Sequence, residues 1–431
     1  MATGQEVRQA AWAVLGAVLQ EQRLLAEVLA DSAGALAPLA PLSPPERARA
    51  QRLALATLRH LQRADRLLGP HLRRMPPPPV MNALRLALVE IHSEGAPAHG
   101  AVNAAVTLLR RGKDTGRYAG LANAVLRKAA EAPGWDALPP QSLPGWLRKP
   151  LIAAWGKAAV TSIESVQAAA PPLDLTLKDP AQTAALAEAL GAEVLATGSL
   201  RLATPGQVST QPGFAEGAWW VQDAAAALPA LLLAPQPGEH IADLCAAPGG
   251  KTLQLAAAGA RVEAVDISAA RMARVTENLA RCGLTARSHV ADALTWQPEA
   301  PLDAVLLDAP CSATGTIRRH PDLPFVKDGT ELATLTALQA GLIDRALEML
   351  RPGGRLVFCT CSLLPEEGEA QITAALARHP GLAILPAEAP GIAPDWRSPE
   401  GGLRIRPDHW AEQGGIDGFY MAVLVHAAPP A

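Results

Sequence analysis

Residues 240–252, with the sequence His-Ile-Ala-Asp-Leu-Cys-Ala-Ala-Pro-Gly-Gly-Lys-Thr, place a short apolar run directly before a glycine-containing turn. A helical pattern follows the turn, and a second apolar run follows at 261–265. Strand, glycine turn, helix and strand in this order are typical of a βαβ unit. The same rhythm continues with predicted strands at 286–290, 303–308, 354–360 and 419–425. The chain from residue 236 to 431 is therefore predicted to form an α/β domain with a doubly wound parallel sheet.

The turn after the first strand limits the kind of ligand. A P-loop requires glycine at the first position of G-x-x-x-x-G-K-[ST], and Cys245 stands at that position. The G-x-G-x-x-G fingerprint of a dinucleotide site is absent. A nucleoside-type cofactor, approached closely by the backbone at Gly249 and Gly250, fits the turn best.

Acidic residues end three successive predicted strands, at Asp266, Asp292 and Asp308. Ligands of a doubly wound sheet bind outside the carboxyl ends of its strands. A carboxylate after the second strand can accept hydrogen bonds from both ribose hydroxyls, and Asp292 is placed to reach the amine of an adenine. A single aspartate of this kind is more often a cap or a turn residue, but three in succession favour a binding role. The predicted cofactor is S-adenosylmethionine.

Two cysteines follow the fourth and fifth strands, Cys311 in Asp308-Ala-Pro-Cys and Cys361 in Cys359-Thr-Cys. Because neighbouring strands end at one edge of the sheet, both thiols are expected to face one pocket. C5 of cytosine is too weak a nucleophile to take a methyl group unaided, and a thiolate that adds to C6 makes it an enamine. Asp308 is placed to assist by stabilising a proton on N3. An isolated cysteine is more often a packing residue, and this is the interpretation for Cys245, Cys282 and Cys359.

The first part of the chain has a different pattern and a different charge. Residues 1–150 hold 19 Lys and Arg against 11 Asp and Glu, whereas the remainder holds 19 against 30. This asymmetry is expected if the first part binds a polyanion, although a basic solvated surface would give the same count. Apolar residues at helical spacing predict helices near 10–19, 81–91, 101–111 and 120–130, with another beginning at a capping box at Ser43. No strand pattern precedes Pro140, so this part is predicted to be all-α.

Three domains are expected. An all-α domain covers residues 1–135, and the methyltransferase-like α/β domain covers 236–431. A small mixed α+β linker domain lies between them at 136–235, with a proline-rich linker at 133–150, a strand at 173–177 and a helix at 181–190.

The motifs of the α/β domain resemble those of the RNA cytosine-5 methyltransferases of the Sun (Fmu) type. The resemblance rests on Asp243–Thr252, Val221–Asp223, Val265–Ser268 with Arg271, Asp308–Gly315, Ile317–Asp322, Thr360–Ser362 and Asp417–Tyr420. It implies that Cys361 is the nucleophile and that Cys311 assists release of the product RNA. It also implies a Rossmann-like class I methyltransferase fold, with S-adenosylmethionine held by Cys245, Ala246, Ala247, Pro248, Gly249, Gly250, Lys251, Asp266, Arg271, Asp292 and Asp308.

The first domain resembles the NusB-like RNA-binding domain of the bacterial ribosomal members, through Pro97–Val106 and Leu121–Arg127. This resemblance implies a cytidine of 16S ribosomal RNA as the substrate, with transfer RNA as the alternative. The residues predicted to contact RNA form two sets. Arg318, Arg319 and His320 follow Cys311, and a basic stretch on the NusB-like domain comprises Arg110, Arg111, Lys113, Arg117, Arg127 and Lys128. A solvated basic surface is the alternative interpretation of both sets.

Composition excludes several other classes of protein. Hydrophobic residues make up 49% of the chain and charged residues 18%, which is typical of a folded protein with a large core. The five cysteines lack framework spacing, so we expect reduced thiols in a cytoplasmic protein. No membrane segment, metal site or obligate protein partner is predicted. A non-catalytic RNA-binding assembly factor is the rival interpretation, and it would require a damaged cofactor turn or nucleophile.

Overall fold

The computed structural model describes residues 4–30, 39, 42–204 and 206–426. They divide into two compact units. The first comprises Met1–Ala170 together with Ile317–Asp328, and the second comprises Pro171–Thr316 together with Gly329–Ala431. The three expected domains thus correspond to two units with different boundaries.

The first unit is helical, as predicted. Its helices are α1 (Gly4–Leu19), α2 (Leu25–Ala30), α3 (Pro44–Arg59), α4 (Leu61–Leu68), α5 (Pro78–His92), α6 (Ala98–Arg111), α7 (Ala119–Ala130) and α8 (Gly145–Gln167). Fully buried leucines of α5, α6 and α7, among them Leu84, Leu109 and Leu126, form its largest core cluster. Ser43 caps α3, and its backbone N–H donates to the Glu46 carboxylate at 2.9 Å, which confirms that the helix begins there. Part of the preceding proline-rich stretch lies outside the described residues.

The predicted linker at 133–150 is wrong in its last third, because α8 already begins at Gly145. The helix tolerates Pro150 in its first half and breaks at Gly156, whose φ is +80°. Glu164 fixes the segment before the helix, since its carboxylate accepts from the Leu143 N–H at 2.8 Å and from Arg148 at 2.7 Å. This segment is therefore a packed part of the first unit.

A short segment from the second half of the sequence also belongs to the first unit. Residues 317–328 contain a one-turn helix, α13 (Leu323–Val326). The Asp322 carboxylate accepts from the Leu25 N–H at 2.9 Å, and Arg59 donates to the Arg318 carbonyl at 2.8 Å. Because these contacts join residues more than 250 positions apart, no local pattern could predict them.

The second unit contains a small antiparallel sheet that was expected to be a separate domain. Its strands are β1 (Leu173–Leu177), β2 (Glu193–Val194), β3 (Leu200–Leu202) and β4 (Trp219–Val221), in the order β2-β3-β1-β4, with helix α9 (Thr183–Leu190) between β1 and β2. Buried Asp174 pairs with Arg201 at 2.7 Å and also accepts from the Ala224 N–H at 3.1 Å. Lys178 donates to the Cys282 carbonyl at 2.6 Å. Such bonds make this sheet part of the larger unit.

The large sheet has the predicted Rossmann-like fold. Its strands are β5 (His240–Leu244), β6 (Arg261–Asp266), β7 (Arg287–Val290), β8 (Leu302–Asp308), β9 (Leu350–Thr360), β10 (Leu382–Leu385), β11 (Leu403–Ile405) and β12 (Phe419–His426). The strand order is β10-β12-β9-β8-β5-β6-β7, and β11 pairs with β12. The order reverses between β5 and β8, which places a ligand crevice at their carboxyl ends. Strands β5 to β9 are parallel, whereas β12 is antiparallel to β9, so the sheet is mixed.

Five further helices belong to this unit: α10 (Ala224–Leu233), α11 (Gly250–Ala257), α12 (Ala269–Cys282), α14 (Leu332–Glu348) and α15 (Glu369–Arg378). The most apolar of the sequence segments forms α10, which contains Pro229 and packs in the core. Within the described ranges, no helix combines the length and the apolar character that crossing a bilayer requires.

Candidate active site

The turn between β5 and α11 is shaped by residues with positive φ. Cys245 has φ +61° and Gly249, at the N-cap of α11, has φ +104°. A Cβ atom on Gly249 would lie 3.1 Å from the Val275 side chain, so this position favours glycine on two counts. The turn thereby brings backbone N–H groups and the start of α11 to the carboxyl end of β5.

Asp266, at the end of β6, braces this turn. One carboxylate oxygen accepts from the Ala247 N–H at 3.1 Å, and the other accepts from the Ser268 N–H at 2.9 Å. Arg271 lies 3.5 Å from Asp266 and donates to the Ala247 carbonyl at 2.5 Å. The structure thus brings together the predicted cofactor residues Ala247, Asp266 and Arg271.

Exposed apolar side chains flank the strand-end carboxylates and fit a nucleoside cofactor. Ile267, directly after Asp266, is 70% exposed, and Leu294, two residues after Asp292, is 38% exposed. Asp292 accepts from the Leu294 N–H through one oxygen at 2.9 Å, which leaves the second oxygen for a ligand. Apolar surface beside convergent carboxylates suits a planar base with a ribose. The sequence analysis missed Ile267 and Leu294, although an apolar residue just after a strand-end aspartate was a usable signal.

Asp243 lies beneath this crevice and is fully buried. The Thr252 hydroxyl donates to one of its carboxylate oxygens at 2.5 Å, whereas the other oxygen is buried without a hydrogen-bond partner in the described residues. Burial raises the pKa of Asp243 to about 7. An acceptor without a donor at this depth is consistent with a site that a polar ligand completes.

We expect Asp243→Asn to flatten the pH dependence of stability of the cofactor-free protein. The folded-state pKa of about 7 lies above the ordinary value of 3.8, so this carboxyl stabilises the fold below pH 4. That stability is lost as the pH rises towards 7, at about 1.4 kcal/mol for each unit of pKa difference. Between pH 5 and pH 8, the free energy of unfolding measured in urea should therefore fall in the wild type relative to the variant. Glu299→Gln, which removes an exposed carboxylate, is the control, and parallel curves for Asp243→Asn and wild type would contradict the expectation.

Lys251 contacts the predicted catalytic carboxylate. Its amine is buried and lies 2.7 Å from Asp308 at the end of β8. Burial acts to lower the pKa of Lys251, but the charge of Asp308 outweighs it and holds the pKa above its ordinary value. Lys251 was predicted only as part of the cofactor turn. The structure shows in addition that Lys251 forms an ion pair with Asp308 at the end of β8, where Asp308 also lies 3.5 Å from the Cys359 sulfur.

The two predicted catalytic thiols meet, as the sequence analysis expected. The sulfur atoms of Cys311 and Cys361 lie 3.5 Å apart, beyond the ends of the adjacent parallel strands β8 and β9. The contact with Cys361, followed by burial, raises the pKa of Cys311 well above its ordinary value. A pair of this kind favours one thiolate and one thiol over two thiolates.

The other three cysteines are free thiols in packed surroundings. Cys359 and Cys282 are buried, which fits the packing role predicted for them. Burial, with the nearby charge of Asp308, raises the pKa of Cys359 well above its ordinary value. Burial likewise raises the pKa of Cys245 to about 12. None of these three thiols is suited to act as a nucleophile at neutral pH.

Close backbone contacts hold the cysteine loops. The Gly315 N–H donates to the Cys361 carbonyl at 2.9 Å, and the Gly418 N–H donates to the Gly315 carbonyl at 2.9 Å. A Cβ atom on Gly315 would lie 1.9 Å from the Gly418 carbonyl oxygen, which leaves room for glycine alone. The Asp417–Tyr420 motif is thereby brought against the loop that follows Cys311.

The predicted RNA-contacting residues lie in two kinds of surroundings. Arg110, Arg111 and Lys113 are exposed at and just after the end of α6. Beyond Cys311, His320 is exposed and Arg319 is half-buried, but Arg318 is fully buried. The side chain of Arg318 therefore offers no surface to a phosphate, because the segment that carries it packs into the first unit.

The first unit also has an open basic groove, of which the sequence analysis identified Arg117 and Lys128 but not Arg73 and Arg74. It has a volume of about 1140 Å³ and lies between the segment 71–78 and helix α7. We define the basic groove by its four exposed cations, Arg73, Arg74, Arg117 and Lys128. No acidic residue lines it, and within the described ranges none of the four forms an ion pair. Exposed Met75 and Leu121, with the ring of Tyr118 beneath Arg117, supply apolar surface.

The sheet order and the cofactor turn define an S-adenosylmethionine-dependent methyltransferase of the Rossmann-like class. The model of the 16S rRNA methyltransferase RsmB/F family matches residues 230–425, and that of the NusB family matches residues 5–131. A ribosomal RNA small subunit methyltransferase B from Sodalis glossinidius is 37% identical over 438 aligned residues, which cover 94% of this chain and 96% of that protein. The chain belongs to the RsmB/F family, which confirms the predicted family and cofactor.

Further relatives agree with this assignment. A protein of the same name from Salmonella arizonae is 46% identical over 232 residues, which cover 53% of this chain and 51% of that one. Among solved structures, PH0851 has a TM-score of 0.72 at 24% identity and covers 98% of this chain and 99% of its own. A methyltransferase homolog protein from Pyrococcus horikoshii has a TM-score of 0.55 at 26% identity over 64% of this chain and 93% of its own. The first of these structures supports the fold.

Proposed function

We propose that this enzyme transfers a methyl group to C5 of a cytidine in 16S ribosomal RNA, through a covalent adduct between Cys361 and C6 of the base. The observation that carries the proposal is the pair of sulfur atoms 3.5 Å apart beyond the ends of β8 and β9, with the Lys251–Asp308 ion pair at the end of β8. The substrate follows from the relatives, which are named small subunit methyltransferases. In this proposal S-adenosylmethionine supplies the electrophilic methyl group.

Cys361 carries the covalent chemistry in this proposal. Its thiolate forms a bond to C6. The electron pair of the C5–C6 double bond shifts to the C4–C5 bond and that of the C4–N3 double bond shifts to N3, so that C5 gains the nucleophilic character of an enamine carbon. After C5 is methylated, a base takes the C5 proton, and the electron pair of the C5–H bond re-forms the C5–C6 double bond. The S–C6 bond breaks at the same time, and its electron pair returns to sulfur. Cysteine suits both directions, because a thiolate is a strong nucleophile and also a good leaving group.

In this proposal the Lys251–Asp308 ion pair binds N3 of the cytosine ring. Addition of the thiolate moves charge onto N3, which must be protonated or hydrogen-bonded as the adduct forms. Asp308 is 30% exposed and accepts from Lys251 through one oxygen at 2.7 Å. Its second oxygen accepts only a long contact from the Cys359 thiol at 3.5 Å, and in our proposal this oxygen also accepts from a protonated N3. The buried lysine fixes the carboxylate and lies next to it as an ammonium donor.

Cys311 assists release of the product. Its raised pKa keeps it a thiol, so it is available as an acid next to the departing sulfur of Cys361. Because one cysteine acts as nucleophile and the other as release acid on the same base, both must lie at one edge of the sheet, where the parallel strands β8 and β9 end.

We propose that the first unit binds the RNA outside the target base. The basic groove is the surface best suited to this role, because it combines unpaired cations with an apolar floor and an aromatic ring. Cations that contact phosphates supply affinity, and exposed rings and apolar side chains accept unstacked bases. Arg110, Arg111 and Lys113, which are exposed at and just after the end of α6, are further RNA contacts in our proposal, as are Arg319 and His320 after Cys311.

We expect the double variant Arg73→Ala and Arg74→Ala to weaken binding of small-subunit ribosomal RNA. Loss of two phosphate contacts should lower the slope of log K against log salt by about 2. Filter binding between 50 and 200 mM salt measures that slope. Arg49→Ala with Arg52→Ala is the control, because it removes two exposed arginines of α3 that lie next to Glu90 and Glu94. Equal slopes for the two double variants would contradict a role of the groove in RNA binding.

The reaction and the substrate are tested together by bisulfite sequencing. Ribosomal and transfer RNA from cells that lack this gene are incubated with the protein and S-adenosylmethionine, and cytosines that resist conversion are mapped. We expect one new protected cytidine in 16S ribosomal RNA. A protected site in transfer RNA alone would overturn the substrate but keep the chemistry. No protected site in either RNA, with intact protein, would overturn the proposed reaction.

A further inference from the structure

A buried glutamate joins the two cysteine loops from beneath. Glu367 lies in a short turn after β9 and is fully buried, whereas its neighbour Glu366 is exposed. Its carboxylate accepts four hydrogen bonds: from the Ser312 N–H at 2.9 Å, the Ser312 hydroxyl at 2.5 Å, the Ser362 hydroxyl at 2.5 Å and the Gln339 amide at 3.1 Å. Burial of a carboxylate is unfavourable unless its acceptor positions are filled, and here all four partners are donors.

The two serines connect this carboxylate to the cysteines. Ser312 directly follows Cys311, and Ser362 directly follows Cys361. Both hydroxyls donate to the same oxygen of Glu367 and lie 3.1 Å from each other. A single carboxylate oxygen therefore bridges the loop after β8 and the loop after β9.

The positions of the two sulfur atoms depend on these loops. In the described residues, each thiol has one side-chain partner, the other sulfur at 3.5 Å, and Cys311 also accepts from the Ala313 N–H. Neither sulfur is held by a third side chain, so its position follows from the backbone that carries it. Reacting atoms need a separation of about 3 to 3.5 Å, and an error of about 1 Å in placement lowers rates by roughly 10²-fold.

We propose that Glu367 is a positioning residue for methyl transfer: its carboxylate ties the Cys311 loop to the Cys361 loop and so sets the distance between the two sulfur atoms. The inference rests on the proposed function, in which both thiols act on one cytosine. Glu367 contacts neither sulfur and is not a catalytic residue. Its negative charge has a second effect, because it contributes, after the Cys361 contact and burial, to keeping Cys311 a thiol.

Three single variants of the full-length protein test the proposal. Glu367→Ala removes the bridge. Glu367→Gln keeps its shape, because the amide oxygen can accept from the two N–H donors while the amide nitrogen donates to the two hydroxyls. Glu366→Ala is the control, since it removes an exposed carboxylate one position away. Each is examined by thermal unfolding, S-adenosylmethionine affinity and the single-turnover rate of methyl transfer to small-subunit ribosomal RNA.

A second measurement reports the distance between the sulfurs without any RNA. Diamide accepts two electrons and two protons from the paired thiols, and the Cys311–Cys361 disulfide that forms is quantified by peptide mass mapping. Formation of this bond requires close and well-oriented sulfurs. We expect Glu367→Ala to slow it roughly 10-fold and to lower the single-turnover rate roughly 10²-fold, with cofactor affinity kept. Glu367→Gln should recover most of both rates, and Glu366→Ala should match the wild type.

Normal rates of both reactions in Glu367→Ala would overturn the proposal. Slow disulfide formation with normal methyl transfer would also overturn it, because the distance would then not matter for the reaction. If Glu367→Ala fails to fold, Ser362→Ala removes the bond from Glu367 to the Cys361 loop and must slow both reactions. Ser312→Ala should have a smaller effect, because the N–H of residue 312 still donates to Glu367. If the wild type itself methylates no RNA, the proposed function fails, and with it the catalytic part of this inference, whereas the disulfide rates still show whether Glu367 sets the distance.

Discussion

Replacement of Cys361 by alanine is expected to lower methyl transfer by about 10⁴-fold or more, the scale seen when a covalent nucleophile is removed. Without the thiolate, C5 of cytosine keeps too little electron density to accept a methyl group. The loss should appear in the single-turnover rate with saturating RNA and S-adenosylmethionine. Cofactor affinity should change little, because the cofactor turn lies at β5 and β6, whereas Cys361 follows β9.

Cys282→Ala is the matched control for this variant. Cys282 is a buried thiol at the end of α12, in a core cluster with Trp220 and Leu279 and outside the two cysteine loops. It should unfold at a slightly lower temperature and retain the wild-type rate. A Cys361→Ala protein that methylates RNA at more than a few per cent of the wild-type rate would remove Cys361 from its proposed role.

Replacement of Cys311 by alanine is expected to have the opposite signature, an accumulation of protein covalently bound to RNA. The Cys361–C6 bond would still form, because the nucleophile is intact, but its release would lack the neighbouring thiol 3.5 Å away. Incubation with substrate RNA and S-adenosylmethionine, followed by denaturing gel electrophoresis, should show a slowly migrating band that ribonuclease removes. Multiple turnover should fall by about 10²-fold, which is the scale of losing one acid–base group.

The double variant Cys311→Ala and Cys361→Ala separates release from binding. It should give no covalent band, since the sulfur that forms the bond is gone. A covalent band that persists in the double variant would show that another residue forms the adduct. Absence of a band in Cys311→Ala alone, with active Cys361, would remove the release role from Cys311.

Local patterns were sufficient for most of the α/β fold. The predicted strands agree with β5 to β9 and β12 within a few residues, because each is a short apolar run bounded by turn residues. The positions of Cys311 and Cys361 also followed from local pattern, since each ends a strand and the two strands are neighbours in the parallel sheet. No local pattern predicts that β12 is antiparallel to its neighbour, because the direction of this strand depends on the long connection that precedes it.

What the sequence could not predict depends on contacts between distant residues. The bridge from Glu367 to Ser312 spans 55 positions, and the Lys251–Asp308 pair spans 57. Packing of residues 317–328 in the first unit spans more than 250 positions, and it buried Arg318, which had been predicted to contact RNA. The basic groove was predicted only in part, because Arg73 and Arg74 lie about 40 positions from Arg117 in a separate segment. The spacing of residues in a sequence predicts contacts within one or two turns of a helix or within one strand, and these contacts join residues much further apart.

The most direct test of the covalent mechanism uses small-subunit ribosomal RNA that carries 5-fluorocytidine. Fluorine at C5 cannot leave as a proton does, so the adduct should stop after methyl transfer, with the protein still bound to C6. Digestion with trypsin and ribonuclease, followed by mass spectrometry, identifies the linked residue. We predict a methylated nucleotide on the peptide that contains Cys361 in the wild type, and none in Cys361→Ala. A nucleotide linked to Cys311 instead, or efficient methylation of normal RNA with no trapped peptide from the fluorinated RNA, would contradict the account.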